Sequence, residues 1–388
     1  MVEELTSRGH KITILTGLPN YPNGELFKDF SENCMHYSCY KGSSIIRVPI
    51  VLRGKSNVRL ILNYISFVFS ASFIGLWKIR NCKFDVILVF GPSPITSCIP
   101  AILFRTIFRI PLVFWVLDLW PETLKSLNVV RSKFLLYLIT KLVIFIYNRC
   151  DNILVQSKSF IRQITKHCIN RNKIFYFPNW AEKIFYTQDF VSAKEIQKKQ
   201  KVFTIMFAGN IGESQDFSNI LAAAEILRPH KNIRWYILGD GRLYNWVVSE
   251  VKKRDLQGCF FLLGNYPLER MPSFFKHADV LLVSLKNETA FSMTIPGKIQ
   301  SYLAAGKPIL AMLNGEGARI IKKSFSGLVS PAGNAKALAG SALKMSKMDP
   351  KLLKVMGNNG TNFSYLNFNS HTLINNLENI LKSVKFKK

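Results

Sequence analysis

The chain has 388 residues, longer than one hydrophobic core normally supports, so two domains are expected. Hydrophobic residues make up 48 % and charged residues 20 %, which excludes a disordered chain. Lys and Arg number 52 against 24 Asp and Glu, a formal net charge of +28 that attracts polyanions; without zinc-finger spacing, a helix-turn-helix signal or paired aromatic strands, nucleic acid has only this charge in its favour, and phosphorylated small molecules and anionic lipid headgroups fit better.

In chain order, residues 1–10 read as the last turns of a helix ending at Gly9, and 11–17 as a β-branched strand closed by glycine. Tyr21-Pro22-Asn23-Gly24 is a turn, 44–48 a second strand and 60–78 a helix. The almost wholly apolar run 84–90 reads as a strand buried on both faces, leaving through the rigid turn Gly91-Pro92-Ser93-Pro94. The alternation continues with helix 95–108, strand 111–117, helix 133–149, strand 152–156, helix 159–167 and strand 173–177. With right-handed crossovers this is an open, doubly wound parallel α/β sheet.

Residues 186–200 are polar and read as a linker. A second alternation follows: strands 203–208, 233–239, 259–262, 280–284 and 308–313, with helices 217–228, 244–254, 268–277 and 297–305. Four domain segments result: 1–185, the linker 186–200, 201–365, and a C-terminal helix with basic tail at 366–388, whose Lys382, Lys385, Lys387 and Lys388 read as a solvated end.

Three apolar stretches bear on the membrane. Residues 60–79 have about the length of a bilayer span but contain Asn63 and Gly75; 95–117 hold Arg105, Arg109, Pro100 and Pro111; 134–147 are short and carry Lys141. Core helices of an α/β domain are the leading reading, with an interfacial, partly lipid-dipping helix and a true span the alternatives for 60–79. Arg53, Lys55 and Arg59, with Arg105 and Arg109, are the candidate cations for an anionic membrane surface. Seven scattered cysteines without a close pair suit a reducing compartment and no metal site, and the N-terminus lacks an export signal, which points to the cytoplasm or its membrane face.

Glycine-marked turns at three strand exits define the candidate anion site. Gly209-Asn210-Ile211-Gly212 lies between a strand and a helix, Gly239-Asp240-Gly241-Arg242 at the next exit, and Pro296-Gly297-Lys298 opens a later helix. Glycine lets phosphate approach the backbone, and a helix N-terminus meets its charge. Lys298 opposes the helix dipole in the first turn unless a diphosphate sits there, the alternative being a solvated lysine. In the first domain, Asp118-Leu119-Trp120-Pro121-Glu122 ends a buried strand, either as a site or as a helix cap. As a site, Asp118 binds sugar hydroxyls or acts as acceptor base and Trp120 stacks on a sugar. Asn179, in Pro178-Asn179-Trp180, contacts ligand or only holds its turn, and His10 reads as structural.

Arg8-Gly9-His10-Lys11-Ile12-Thr13-Ile14-Leu15-Thr16-Gly17, Pro19-Asn20-Tyr21-Pro22, the Asp118–Glu122 motif, Pro178-Asn179-Trp180 and residues 296–308 together resemble family 4 glycosyltransferases of the two-Rossmann GT-B fold. The nearest branch builds bacterial O-antigen, capsule and colanic acid, and includes the N-acetyl-L-fucosamine transferases. The resemblance implies two Rossmann-like domains facing across a cleft. It makes the first the acceptor domain, using Trp120, Glu122 and Asn179 with Asp118 in a catalytic role. The second becomes the nucleotide-sugar domain, using Gly209, Asn210, Gly212, Gly239, Asp240, Pro296, Gly297, Lys298 and Gln300. It implies a retaining transfer, with no cofactor beyond the donor co-substrate, from UDP-N-acetyl-L-fucosamine to a sugar on undecaprenyl diphosphate, by a peripheral protein on the cytoplasmic face of the inner membrane. No Asp-x-Asp motif follows a donor-domain strand, so a metal-independent reaction is expected.

Two departures stand out. The family's paired glutamates fall on Ser292 and Gln300, and its arginine and lysine after the donor loop fall on Asn210 and Gln215. The family also begins with a strand and glycine loop ahead of the helix ending at Gly9; a misplaced start, or a first sheet without its central strand, is the expectation here. A non-catalytic membrane-associated assembly subunit and a soluble GT-B nucleotide-sugar epimerase are the alternative functions.

Overall fold

The computed structural model describes residues 1–20, 24–30, 32, 36–54, 56–126, 129–187, 190–196 and 201–386. The turn expected at Tyr21-Pro22-Asn23, the cation Lys55 and the end of the linker lie outside them. The chain divides into two compact units: Met1–Gln156, Phe160–Phe177 and Ile374–Lys388 form the first, and Ser157–Ser159 with Pro178–Leu373 the second. The division therefore falls at Phe177, before the boundary read at 185, and the last helix groups with the first unit.

In the first unit, α1 (Val2–Ser7) leads into β1 (Thr13–Gly17), β2 (Cys39–Tyr40) and β3 (Ser43–Val48). A continuous helical segment follows, made of α2 (Asn57–Ser70), a π turn (Ala71–Gly75) and α3 (Leu76–Ile79). Next come β4 (Ile87–Gly91), α4 (Ile99–Phe108), β5 (Leu112–Val116), α5 (Glu122–Ser126), α6 (Lys133–Arg149), β6 (Asn152–Val155), α7 (Lys158–Ile164) and β7 (Ile174–Tyr176). The strands form two sheets, β1-β3-β2 and an all-parallel β4-β5-β6-β7. Among the described residues β1 and β4 are thus edge strands, although β1 runs parallel to β3 as an inner strand of a doubly wound sheet would. Within this sheet β5, between β4 and β6, is buried along its whole length, whereas β4, expected to be buried on both faces, is an edge strand with Phe90 53 % exposed.

Arg105, considered above as a lipid-facing cation, is committed elsewhere. Its guanidinium grips Asp151 through two bonds of 2.8 Å and its side chain is 11 % exposed, so it closes the β5–β6 end of the core. The C-terminal tail is likewise not simply a solvated end. It contains α16 (Ser370–Ser383), on which Glu378 meets Arg8 at 3.1 Å, His10 at 3.1 Å and Lys382 at 2.7 Å, and Arg105 lies over the Phe386 ring. His10 has the structural role read for it. Cys98 and Cys150 come within 4.0 Å in the core as free thiols.

The second unit contains β8 (Phe203–Ala208), α8 (Phe217–Leu227), β9 (Ile233–Leu238), α9 (Tyr244–Lys253), β10 (Phe260–Gly264), α10 (Met271–Phe275), β11 (Val280–Ser284), α11 (Thr289–Met293), α12 (Gly297–Ala304), β12 (Ile309–Met312), α13 (Gly315–Lys323), β13 (Gly327–Ser330), α14 (Ala335–Ser346) and α15 (Pro350–Phe368). Its parallel sheet has the order β10-β9-β8-β11-β12-β13. The chain leaves β8 in one direction and, from β11, proceeds in the other. That reversal makes the carboxyl ends of β8 and β11 a topological switch point, where ligands bind in open α/β sheets.

Candidate functional site

The glycine turns read from the sequence converge at this switch point. Tyr302, fully buried on α12, accepts from Ala208 N at 2.9 Å and donates to Ala208 O at 3.2 Å, which pins the last residue of β8 immediately before Gly209. Gly239 has φ 133°, and a Cβ there would stand 1.9 Å from Gly209 O, so only glycine lets the β8 and β9 exit loops meet backbone to backbone. Ile211 N donates to Asp240 O at 2.9 Å across the same seam. The Asn210 side chain lies over Gly212 and Gly241, and Asp240 Oδ1 accepts from Gly241 N at 2.7 Å, so Asp240 also holds its own turn.

Lys298 reaches into this arrangement from the first turn of α12. Its Nζ donates to Gln215 Oε1 at 2.5 Å and stands 4.5 Å from the Phe207 ring centroid, while its Cε is 2.5 Å from where a Gly209 Cβ would be. Burial pushes the Lys298 ammonium down to about 7, because Gln215 is a neutral partner and does not compensate for lost hydration. Pro296, the N-cap of α12, provides no side-chain cap, leaving first-turn amides to a ligand. A half-buried lysine with a proton to gain, an uncapped helix start and a glycine loop are together suited to an anion. Gln300 differs from its expected outward role. It is 1 % exposed, and in the amide orientation that satisfies it, its nitrogen donates to Pro296 O at 2.8 Å and Gly297 O at 3.1 Å, so it buttresses the α12 turn. A separate cavity of about 790 Å³ at the β12 and β13 exits, lined by Arg319 and Lys322 among others, contains none of the expected site residues.

In the first unit, the motif after β5 forms a second polar centre. Asp118 accepts from Thr123 Oγ1 at 2.6 Å, and burial raises its carboxyl above the ordinary value. Glu122 Oε1 accepts from Gln163 Nε2 on α7. Among the described residues, Glu122 Oε2, Tyr147 OH, Thr96 Oγ1 and Ser97 Oγ are buried without hydrogen-bond partners. Burial, with the Glu122 charge adding to it, pushes the Tyr147 phenol well up. Such unsatisfied donors and acceptors suit water or a ligand rich in hydroxyls. Asp118, Trp120 and Glu122 thus lie in one short segment after β5 in the first unit, and Asn179 is half-buried at the beginning of the second. Sequence reasoning missed Tyr302, Tyr147 and Gln163, for which the only local signal was a hydroxyl or amide within a helix, and it placed Gln215 at the family's lysine position without foreseeing its bond to Lys298.

Two α/β units built on parallel strands define the GT-B architecture. Residues 1–182 match the family described as Glycosyltransferase Family 4 and residues 189–363 that described as Glycosyl transferases group 1, so the chain carries both glycosyltransferase domains. It is 28 % identical over 312 residues to the Pseudomonas aeruginosa protein named as glycosyltransferase WbjE, covering 78 % of this chain and 74 % of the relative. Over 321 residues it is 26 % identical to the Escherichia coli K12 protein named as colanic acid biosynthesis glycosyl transferase WcaI, covering 79 % and 76 %. Among solved structures, HepE of Anabaena in complex with UDP and glucose superposes with a TM-score of 0.67 at 12 % identity, covering 97 % of this chain and all of that one. Sucrose-phosphate synthase of Thermosynechococcus elongatus gives 0.76 at 14 % identity, covering 98 % and 90 %.

Proposed function

We propose that the chain is a retaining, metal-independent glycosyltransferase of bacterial O-antigen, lipopolysaccharide or capsule biosynthesis. It moves N-acetyl-L-fucosamine from its UDP form onto a sugar linked to undecaprenyl diphosphate, acting as a peripheral protein at the cytoplasmic face of the inner membrane. The observation that carries this reading is the Lys298 ammonium beside Gly209 and the uncapped first turn of α12 at the β8–β11 switch point.

The leaving group is a nucleoside diphosphate, and its developing charge is what the site must stabilise. Lys298, protonated against that charge, and the α12 amides supply it. The acceptor hydroxyl oxygen bonds to the anomeric carbon on the face from which the diphosphate oxygen departs, and the hydroxyl proton passes to that oxygen. Little remains for a protein nucleophile. Asp118, with its raised affinity for a proton, orients the acceptor hydroxyl or takes its proton in transit, and Trp120, Glu122 and Asn179 hold the acceptor sugar. The polysaccharide setting is supported by the likeness to WcaI and the UDP by the HepE complexes, whereas the donor sugar rests on the branch resemblance of the sequence alone.

A donor panel tests it. UDP-N-acetyl-L-fucosamine, UDP-N-acetylglucosamine, UDP-glucose and GDP-sugars are offered with lipid-linked acceptor, with and without EDTA, and the product anomer is read by NMR coupling. Best transfer from the first, unchanged by EDTA and with the donor's anomeric configuration, is expected. Equal or better transfer from another donor overturns the sugar assignment, an inverted anomer the mechanism, and EDTA inhibition the metal independence.

A further inference from the structure

The first unit presents an apolar outer surface for which its fold offers no cover. On the 57–79 helical segment, Tyr64, Val68, Ala71 and Ile79 turn inward, while Ile61, Ile65, Phe69, Phe73 and Trp77 point out at helical spacing. Phe73 is 67 % exposed and Trp77 63 %. The segment from Val58 to Ile79 is long and apolar enough to cross a bilayer, yet its inner side is occupied by packing against β1, β3 and α4. It is a two-faced helix attached to a fold, not a bare span.

A second helix continues this surface. α4 packs against the π turn and α2 and also against α6, which links the two helices through one neighbour. The outer face of α6 carries Phe134, 71 % exposed, with Tyr137, Leu138 and Phe145, although Val143, Ile146 and Tyr147 on its other face are buried. A soluble monomer rarely exposes this much contiguous aromatic and aliphatic surface.

The charge around it has one sign. No Asp or Glu occurs in residues 51–84 or 129–150, while Arg59, Lys78, Arg80, Lys133, Lys141 and Arg149 all do. These cations accompany the aromatic residues: Arg80 lies 4.6 Å from the Trp77 ring centroid, Lys141 5.2 Å from Tyr137 and Arg149 5.3 Å from Phe145. Apolar side chains at the centre, amphipathic aromatics and long cations whose stems run along them are the pattern of a surface that enters the headgroup region of an anionic bilayer. An acidic protein partner would match the charge but leaves unexplained why a segment long and apolar enough to cross a bilayer keeps its outer aromatic face exposed.

We propose that the outer faces of the 57–79 segment and α6 together form a docking surface for an anionic lipid bilayer, entered from one side and not crossed. The inference stands on these two helices and does not depend on which sugar or acceptor the enzyme uses.

The test is flotation of the full chain with phosphatidylcholine vesicles, with or without phosphatidylglycerol, at low and high salt, alongside Phe73→Ser/Trp77→Ser and Phe134→Ser/Leu138→Ser variants whose folding is checked by UDP binding. Flotation only with anionic vesicles, release by salt, and at least tenfold weaker binding for each variant with UDP affinity unchanged are expected. Absence of flotation at low salt overturns the proposal, as does indifference to the α6 variant. Retention through salt and alkaline carbonate overturns it in favour of a spanning segment. A dimer by light scattering that both variants dissociate, without vesicle binding, assigns the face to a second copy. Transfer to a water-soluble acceptor by the variants separates a failed membrane surface from a failed transferase reading.

Discussion

Lys298 takes its position from Gln215, a residue 83 positions away, and that pairing explains how a donor site lacking the expected lysine at 215 keeps its cation. Lys298→Ala should therefore lower turnover more than tenfold, equivalent to about 1.4 kcal/mol or more of transition-state stabilisation, with folding intact. The exchange Lys298→Gln with Gln215→Lys should recover much of that loss. Activity that survives Lys298→Ala, or a double variant as poor as Lys298→Gln alone, refutes the assignment.

The same residue sets a pH dependence. Its proton affinity in the folded protein lies near pH 7 against an ordinary value of 10.5, so between these limits the unfolded chain holds a proton that the fold does not. Stability from this group rises with pH across that window, and the burial penalty is complete below about 7. Diphosphate binding reverses the preference, because the anion favours the ammonium. UDP binding above pH 7 should take up close to one proton, with affinity falling as pH rises; Lys298→Met should abolish both. Calorimetry in buffers of different ionisation enthalpy measures the uptake.

At the level of elements, α12 is held from behind by α15. A Cβ on Gly357 would lie 2.1 Å from Gly306 O, a backbone atom just past the α12 terminus. Alanine improves helix propensity at Gly357 by about 1 kcal/mol, but the clash has no flexible side chain to absorb it, so packing wins over propensity. Gly357→Ala should lower stability by roughly 1–3 kcal/mol and weaken UDP binding as α12 shifts. Gly340→Ala on α14, where a Cβ meets nothing within 4 Å, is the control and should be neutral or stabilising. Equal thermal midpoints for the two variants contradict this packing account.

The elements also separate what the sequence discloses from what it conceals. Strands β4, β5 and β8 and the turn into α12 were legible because apolar runs, glycines and a helix start are local signals. The Gln215–Lys298 bond and the Tyr302 clamp on Ala208 were not, since each joins residues brought together only by sheet order. An apolar helix reads alike whether its outer face is covered or bare, which is why α6 passed as core. The bonds of Gln300 were hidden for a related reason: its amide turns onto the carbonyls of its own helix start, which no local pattern announces.

At the scale of the molecule, the chain returns at its end to the unit where it began. Glu378 on α16 accepts from Lys382 and Arg8 and lies against His10, which holds its carboxyl down to about 2 from an ordinary 4.5. A depressed carboxyl contributes stability that is present above its unfolded value and lost as pH falls from about 4.5 through about 2. The α16 amides should gain hydrogen-exchange rate across that window before the second unit's β8 and β11 amides do. Glu378→Gln should bring the loosening to neutral pH, and exchange in α16 that is independent of both acid and the variant contradicts the clasp.

The central claim, transfer of a sugar from a nucleotide onto a membrane lipid carrier, meets its most direct test in one assay. Bacterial membranes containing undecaprenyl-diphosphate-linked acceptor are incubated with the purified chain and UDP-sugar labelled in the sugar, and the label is partitioned into organic solvent. Label that becomes lipid-extractable with the wild-type chain, and falls more than tenfold with Lys298→Ala, is the expected result. Label that stays water-soluble but becomes a different nucleotide-sugar indicates an epimerase, and label that neither moves nor changes with an active acceptor present indicates an assembly subunit; either contradicts the transferase reading.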